Sequence, residues 1–245
     1  MVFAVVEPRG DPHFHTTRWS VVLRAGDSAP DAARDALATL CRTYWYPLYA
    51  YVRRRGHGPD EAADLVQGFF AGFLEGGGVR GYDVERGRFR GWLLGALKHH
   101  LSHERERGAA QKRGGHALRV SLDAREGESR LAAEPAHDET PERSFDRDWC
   151  LALLQRTRER LREHYAATGR AELYERLSAF VGGTGPETSH RGAAAELGMS
   201  EVAVKVAVHR LRRRYGDLLR EEVAQTLDEE ADPEREIRDL MESLG

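Results

Sequence analysis

The chain has 245 residues, of which 40% are hydrophobic and 31% charged, and a formal net charge of −3. This length allows one large domain or two small ones, and the composition is that of a soluble globular chain. The charge is uneven: residues 98–113 and 205–214 are basic, whereas 121–148 and 217–245 are acidic. Basic patches separated by acidic stretches are typical of proteins that bind nucleic acid.

The N-terminal arm, residues 1–29, is expected to be neither a signal peptide nor a membrane span, because its apolar run is short and no basic residue precedes it. The two cysteines, Cys41 and Cys150, form no Cys-x-x-Cys pair. Neither a disulfide framework nor a cysteine-based zinc site is therefore expected. A reducing cytoplasm is the simplest location.

Helical periodicity recurs after the arm, and strand-like alternation is nearly absent. Apolar spacing predicts a helix over 31–55, in which Pro47 marks a kink or a junction. A second helix is predicted over 60–75 and a third from Phe89 to about 107. These three helices form a first predicted domain, residues 30–113.

Residues 114–144 are rich in Gly, Glu, Pro and Ser and poor in large apolar residues, which predicts a flexible acidic linker. The alternative is an ordered loop folded against one domain. Helical periodicity resumes at Phe145 and predicts a second domain over 145–227, followed by an acidic tail, 228–245, with a short terminal helix. The predicted fold is thus all-α, with two small helical domains joined by a flexible linker.

The stretch 192–215 predicts a helix-turn-helix. Alanines at 193–195 allow close helix packing, Gly198 permits a left-handed turn, and Ser200 can cap a second helix over Glu201–Arg214. The apolar stripe expected to be buried on that second helix consists of Val202, Ala203, Val206, Ala207, Val208 and Leu211. The alternative is an ordinary αα-hairpin with a solvated basic face.

Several motifs occur in an order that resembles one family. They are the helix DEAADLVQGFFAGFLE (60–75), the Phe-x-x-Trp-Leu segment at 89–93, a basic helix, a linker and the helix-turn-helix. Over 37–113 and 145–215 the chain resembles bacterial RNA polymerase sigma factors of the extracytoplasmic-function type. The segments 15–20 (HTTRWS) and 42–48 (RTYWYPL) resemble a planctomycete-like subgroup.

The resemblance implies that the first domain is like sigma region 2 and docks on the clamp helices of the largest polymerase subunit. The polymerase flap is a further implied partner of the chain. The implied polymerase-binding positions are Asp64, Leu65, Gln67 and Phe70. Asp64 and Gln67 are neighbours on one helical face, whereas Leu65 and the phenylalanines are expected to serve the domain's own core. The alternative is that Asp64 and Gln67 are merely solvated.

The resemblance also implies that the following loop and helix hold the melted minus-ten strand, for which a basic groove and a stacking aromatic are suitable. The implied positions are Arg80, Tyr82, Arg86, Arg88, Phe89, Arg90, Lys98, His99 and His103. Trp92 could stack on a base, but beside Leu93 and Leu94 it is expected to be a core residue.

The second domain is implied to be like sigma region 4, with its helix-turn-helix on the minus-thirty-five element. The positions assigned to that element are Ser200, Glu201, Lys205, His209, Arg210, Arg212 and Arg213. Because Val206 and Ala207 offer no polar groups for direct contact with bases, recognition is expected to depend on DNA shape.

Two other functions remain open from the sequence. One is a helix-turn-helix regulator that binds duplex DNA without acting as a polymerase subunit. The other is a metal-dependent hydrolase that uses the pair His99 and His103, although no convincing third ligand or catalytic motif accompanies them. The expectation is a non-enzymatic protein without cofactor or metal, whose partners are core RNA polymerase, promoter DNA and an anti-sigma protein or other regulator.

Overall fold

The computed structural model describes residues 30–75, 89–108, 124–134, 139–182, 189–227 and 231–244, and every regular element within these ranges is helical. The predicted all-α class is confirmed. The helices are α1 (Pro30–Arg54), α2 (Pro59–Glu75), α3 (Phe89–Gly108), α4 (Ala124–Ala133), α5 (Pro141–Ala167), α6 (Ala171–Leu177), α7 (His190–Leu197), α8 (Glu201–Ala224) and α9 (Pro233–Glu242), with a 3₁₀ turn at Ser178–Phe180. None of these helices is long and apolar enough to cross a membrane.

The first hydrophobic core forms around α1, which continues through Pro47. Every residue from Tyr44 to Ala50 is buried, because α2, α4 and α5 all pack on this helix. Its main aromatic contact is the stacking of Tyr44 on Trp149 of α5, with ring centroids 3.7 Å apart. A helix that is apolar nearly all round has to be enclosed. The middle of α1 is thus the centre of the first core.

Helix α4 lies within the segment predicted to be a flexible linker, and that prediction is wrong for residues 124–134. Gly127 is buried, and a Cβ atom at this position would lie 2.7 Å from the ring of Tyr49. Glu128 accepts hydrogen bonds from the Tyr49 hydroxyl at 2.8 Å and from Arg53 Nε at 2.6 Å. Because Gly127 has no side chain, this short polar helix can approach α1 closely. The carboxylate of Glu128 then holds it there by hydrogen bonds.

Helix α5 runs through two hydrophobic cores. Its first half places Phe145 and Trp149 in the first core, although both residues lie within the predicted second domain, 145–227. Its second half places Leu161 and Tyr165 in the second core with α6, α7 and most of α8. At 27 residues the helix is about 40 Å long. The boundary predicted at residue 145 therefore falls at the start of a helix that both cores share.

The acidic tail contributes to the first core. Asp232 caps α9 by accepting from the backbone N–H of Glu234 at 3.0 Å, and Pro233 occupies the first turn. Leu240 is buried in the first core. Glu236 forms a buried ion pair with Arg90 at the start of α3. The terminal helix expected from the sequence therefore exists and is a structural part of the molecule.

Candidate nucleic-acid interface

The predicted helix-turn-helix is present as local structure. Ser189 caps α7 by accepting from the backbone N–H of Gly192 at 3.0 Å, so the first helix begins two residues earlier than expected. Gly198 ends α7 with a left-handed φ of 62°, a backbone conformation that residues other than glycine rarely adopt. Ser200 then accepts from the backbone N–H of Ala203 at 3.2 Å and caps α8. The buried Ala193 and its neighbour let the two helices pack closely.

The buried stripe of α8 differs from the predicted one. Val204, Val208 and Leu211 are buried, and their spacing of four and three residues is that of one helical face. Val202 and Val206, which were predicted to be buried, are 71% and 45% exposed. The prediction was wrong because the valines at 202, 204, 206 and 208 lie on two helical faces, and the predicted stripe combined residues of both. Packing against α5 and α7 selects the face that contains Val204.

The exposed face of α8 is basic. His209, Arg210 and Arg213 are exposed, and no ion pair joins either arginine to another described residue. Lys205 forms an i,i+4 ion pair with Glu201, Nζ to Oε1 at 2.8 Å, and the amine lowers the pKa of that carboxyl. Such exposed pairs are weak and open readily. These side chains form a cationic surface at the second helix of the motif.

Two other residues assigned to the minus-thirty-five element have structural contacts. Arg212 donates from Nε to the backbone carbonyl of Phe180 at 2.9 Å and so ties α8 to the 3₁₀ turn. The hydroxyl of Ser200 is engaged in the helix cap. Both residues therefore position α8. Arg212 is also exposed, and the exposed basic side chains without such a backbone contact are those of Lys205, His209, Arg210 and Arg213.

The residues assigned to polymerase docking separate into an exposed pair and a packed pair. Asp64 is exposed and Gln67 is half-buried on α2. Leu65 packs against the first core, and Phe70 is buried in it beside Phe69. Direct contact of Phe70 with a partner is excluded in this conformation, because its ring is enclosed by the protein's own core. A docking surface on α2 would thus consist of Asp64 and Gln67.

Of the residues assigned to the minus-ten strand, Arg80, Tyr82, Arg86 and Arg88 lie outside the described residues. Phe89 and Arg90 are both buried, which contradicts their assignment as contacts with the single DNA strand. Phe89 packs between Trp92 and Trp149, with ring centroids 5.8 and 5.9 Å away. Arg90 pairs with Asp146 at 2.9 Å and with Glu236. Both side chains stabilise the first core, and Trp92 packs partly buried against the same core, as expected.

The remaining positions assigned to the minus-ten DNA strand lie along α3. Lys98 is exposed and pairs with Glu142 of α5, Nζ to Oε1 at 2.8 Å; the amine lowers the pKa of that carboxyl. His99 and His103 are exposed, with Nε2 atoms 3.2 Å apart. Among the described residues, no group of three His, Cys, Asp or Glu side chains could hold a metal ion. The histidine pair alone gives no metal centre.

The sequence did not reveal a buried ionic cluster that joins α1, α5 and the residue after α4. Arg54 donates from Nη1 to Asp148 Oδ2 at 2.6 Å and also pairs with Glu134. Arg147 lies 3.3 Å from the same glutamate, and the Tyr46 hydroxyl donates to it. Burial raises the pKa of Asp148, and Arg54 offsets only part of that shift. Individually these residues look like ordinary surface charges, so periodicity could not find them.

No protein-family model matches this chain, and no curated protein or solved structure matches it significantly.

Proposed function

We propose that the protein is a promoter-specificity subunit of the sigma type, which acts in the cytoplasm by binding core RNA polymerase and directing it to promoter DNA. The observation that carries the proposal is the helix-turn-helix whose second helix, α8, presents a basic face to solvent. A capped helix of this kind fits the major groove, with its first turns at base edges and its arginines at phosphates.

The polymerase contact in this proposal is the pair Asp64 and Gln67. A carboxylate and an amide three residues apart on an accessible helix can bond to an arginine or to polar groups of a partner. Both groups are accessible without a change in the fold. The proposed subunit performs no covalent chemistry, because binding free energy drives the recognition and opening of DNA.

The proposed contact with the melted DNA strand involves fewer of the described residues than the sequence implied. Moving Arg90 to the surface would break its ion pairs with Asp146 and with the buried Glu236, and breaking a buried pair is costly. Releasing Lys98 from Glu142 costs little, because that pair is largely exposed. Lys98, His99 and His103 are therefore the described residues that we assign to the single strand.

A second candidate function is a regulator that binds duplex DNA by itself. It is favoured by the continuity of α5 and α8 through both cores, because such a molecule needs no polymerase to hold its parts together. Both candidates use the same face of α8. They differ in whether core RNA polymerase binds to α2.

The deciding experiment is a pull-down of the full chain with core RNA polymerase, followed by transcription from genomic DNA fragments. We expect retention of the wild-type chain and the appearance of new start sites. The double variant Asp64→Ala, Gln67→Ala is expected to bind core polymerase at least tenfold more weakly, or about 1.4 kcal/mol.

The matched control is Gln155→Ala, Glu159→Ala. These residues also form an exposed amide and carboxylate pair on a helix, with Nε2 3.2 Å from Oε1, but they lie on α5. We expect this control to bind core polymerase like the wild type. Absence of any association between the wild-type chain and core polymerase, together with tight duplex binding, would select the regulator instead.

A further inference from the structure

Two valines face solvent on the first turns of α8, where a globular protein usually places polar residues. Val202 is 71% and Val206 is 45% exposed. They are four residues apart and so form one small apolar patch on the side of the helix opposite Val204. The positions directly follow the Ser200 cap, at the end of α8 that a helix-turn-helix presents to base edges.

The surroundings of this patch favour a nucleic acid over an apolar protein partner. Lys205, His209, Arg210 and Arg213 lie on the exposed side of the same helix, and the amino-terminal end of a helix also attracts anions. A partner must therefore combine negative charge with a small apolar group within reach of α8. Duplex DNA offers both: phosphates line the groove, and the C5 methyl group of thymine is the apolar feature of the major groove.

The spacing of the valines suits neighbouring base pairs. Four residues of α-helix rise about 6 Å, and base pairs stack about 3.4 Å apart along one strand. A helix lying along the groove can therefore bring each valine to a different thymine, separated by one or two steps. Each valine supplies two methyl groups, and its branched side chain has few rotamers to lose on contact.

We propose that Val202 and Val206 are specificity-determining residues that select thymines in the recognised duplex by contact with their methyl groups. This inference rests on the duplex-binding half of the proposed function, which the regulator alternative shares. It assigns direct base readout to the two side chains that the sequence pattern placed in the core. The basic residues supply affinity through phosphates, and the valines supply discrimination.

The test uses the full chain, with and without core RNA polymerase, and a library of duplex oligonucleotides with a randomised internal segment. Bound duplexes are recovered and sequenced, and the preferred duplex is resynthesised with single thymines replaced by deoxyuridine, which lacks only the C5 methyl group. We expect one or two of these replacements to weaken binding by roughly fourfold each, the effect of one buried methyl group. The other thymine positions should be insensitive.

The variants connect that effect to the two side chains. In Val202→Ala, Val206→Ala the deoxyuridine penalty should disappear, while the salt dependence of binding, set by phosphate contacts, stays unchanged. The control is Leu151→Ala, which removes an apolar side chain of 45% exposure from a different helix, α5, and should keep the full penalty. Circular dichroism checks that the exposed substitutions leave the helices intact.

Once a duplex has been selected, three results would overturn the inference. They are a preferred duplex without a fixed thymine, deoxyuridine replacements that have no effect, and an equal penalty in the double variant and the wild type. If the chain selects duplexes alone but never associates with core polymerase, the polymerase proposal fails while the deoxyuridine measurement still decides this inference. Selection of no duplex in either condition overturns the inference, and the pull-down then judges the polymerase contact separately.

Discussion

The two hydrophobic cores differ in composition and in how their charges are used. The first core is rich in aromatic residues, with Trp149 in contact with both Tyr44 and Phe89, and buried ion pairs lie around it. The second core is smaller and largely aliphatic, with Val204 and Leu211 among its fully buried residues. Basic residues around the first core are mostly paired with acids of α4, α5 and α9, whereas α8 keeps exposed arginines over the second.

This difference shows where a basic sequence indicates binding and where it indicates structure. Arg54 and Arg90 are tied to carboxylates that come from distant parts of the chain. Arg210 and Arg213 have no acidic partner among the described residues. Only the second group leaves its charge available to a polyanion.

Removal of the central aromatic residue is expected to have the largest effect. Trp149→Ala should reduce the free energy of unfolding by about 3–5 kcal/mol, because it empties a fully buried site on the helix that both cores share. Leu161→Ala, in the second core, should cost about 2–5 kcal/mol. Urea unfolding followed by circular dichroism gives both values.

We expect each of these variants to unfold in a single transition, because α5 and α8 both extend through the two cores. Arg160 of α5 also donates from Nη1 to Oε1 of the buried Glu222 on α8, at 2.9 Å. Two separated transitions in Leu161→Ala, with the first core still folded after the second has melted, would show that the cores are independent domains.

The next effect concerns the acidic tail. Leu240→Ala should cost about 2–5 kcal/mol, since this side chain is buried in the first core although it lies near the C-terminus. Met241→Ala is the matched control, because the neighbouring side chain is 36% exposed; its cost should be within about 0.5 kcal/mol of zero. Thermal unfolding measures both variants. Equal stability of the two variants would mean that α9 does not pack on the first core in solution.

The smallest effect is the pH-dependent attachment of α4. Arg53 lowers the pKa of Glu128 from 4.5 through two hydrogen bonds, at 2.6 and 3.0 Å. A lowered pKa in the folded state adds stability that is present above about pH 4.5 and is lost as the pH falls through the folded value. Glu128→Gln should therefore lower the free energy of unfolding at neutral pH by up to about 1 kcal/mol, a small value because the site is partly exposed. The loss should be smaller in acid, where Glu128 of the wild type is itself protonated.

The measurement is the difference in melting temperature between wild type and Glu128→Gln, followed from about pH 7 down to about pH 3. Glu126→Gln, an exposed acid on the same helix, serves as control and should show a smaller difference at neutral pH. A difference for Glu128→Gln that stays constant over this range would refute the ionic attachment.

Local signals in the sequence predicted the helix-turn-helix because its parts act over a few residues. Gly198 adopts the left-handed turn, and Ser200 caps the next helix through its own hydroxyl. The buried face of α8 was predicted wrongly, because valines lie on two of its faces and the expected stripe combined residues of both. Helix α4 was missed because its attachment depends on the ring of Tyr49 lying against Gly127, a contact between residues far apart in the chain.

The same distinction applies to the candidate site. The sequence alone determined most of the helices, the turn and the net sign of charge on α8, because propensity, capping and composition are properties of neighbouring residues. Tertiary structure decided that Phe89 and Arg90 are enclosed and that Val202 and Val206 are exposed. Burial and ion pairing are set by which distant segments meet, and a carboxylate such as Glu236 can remove an arginine from the surface only after the chain has folded.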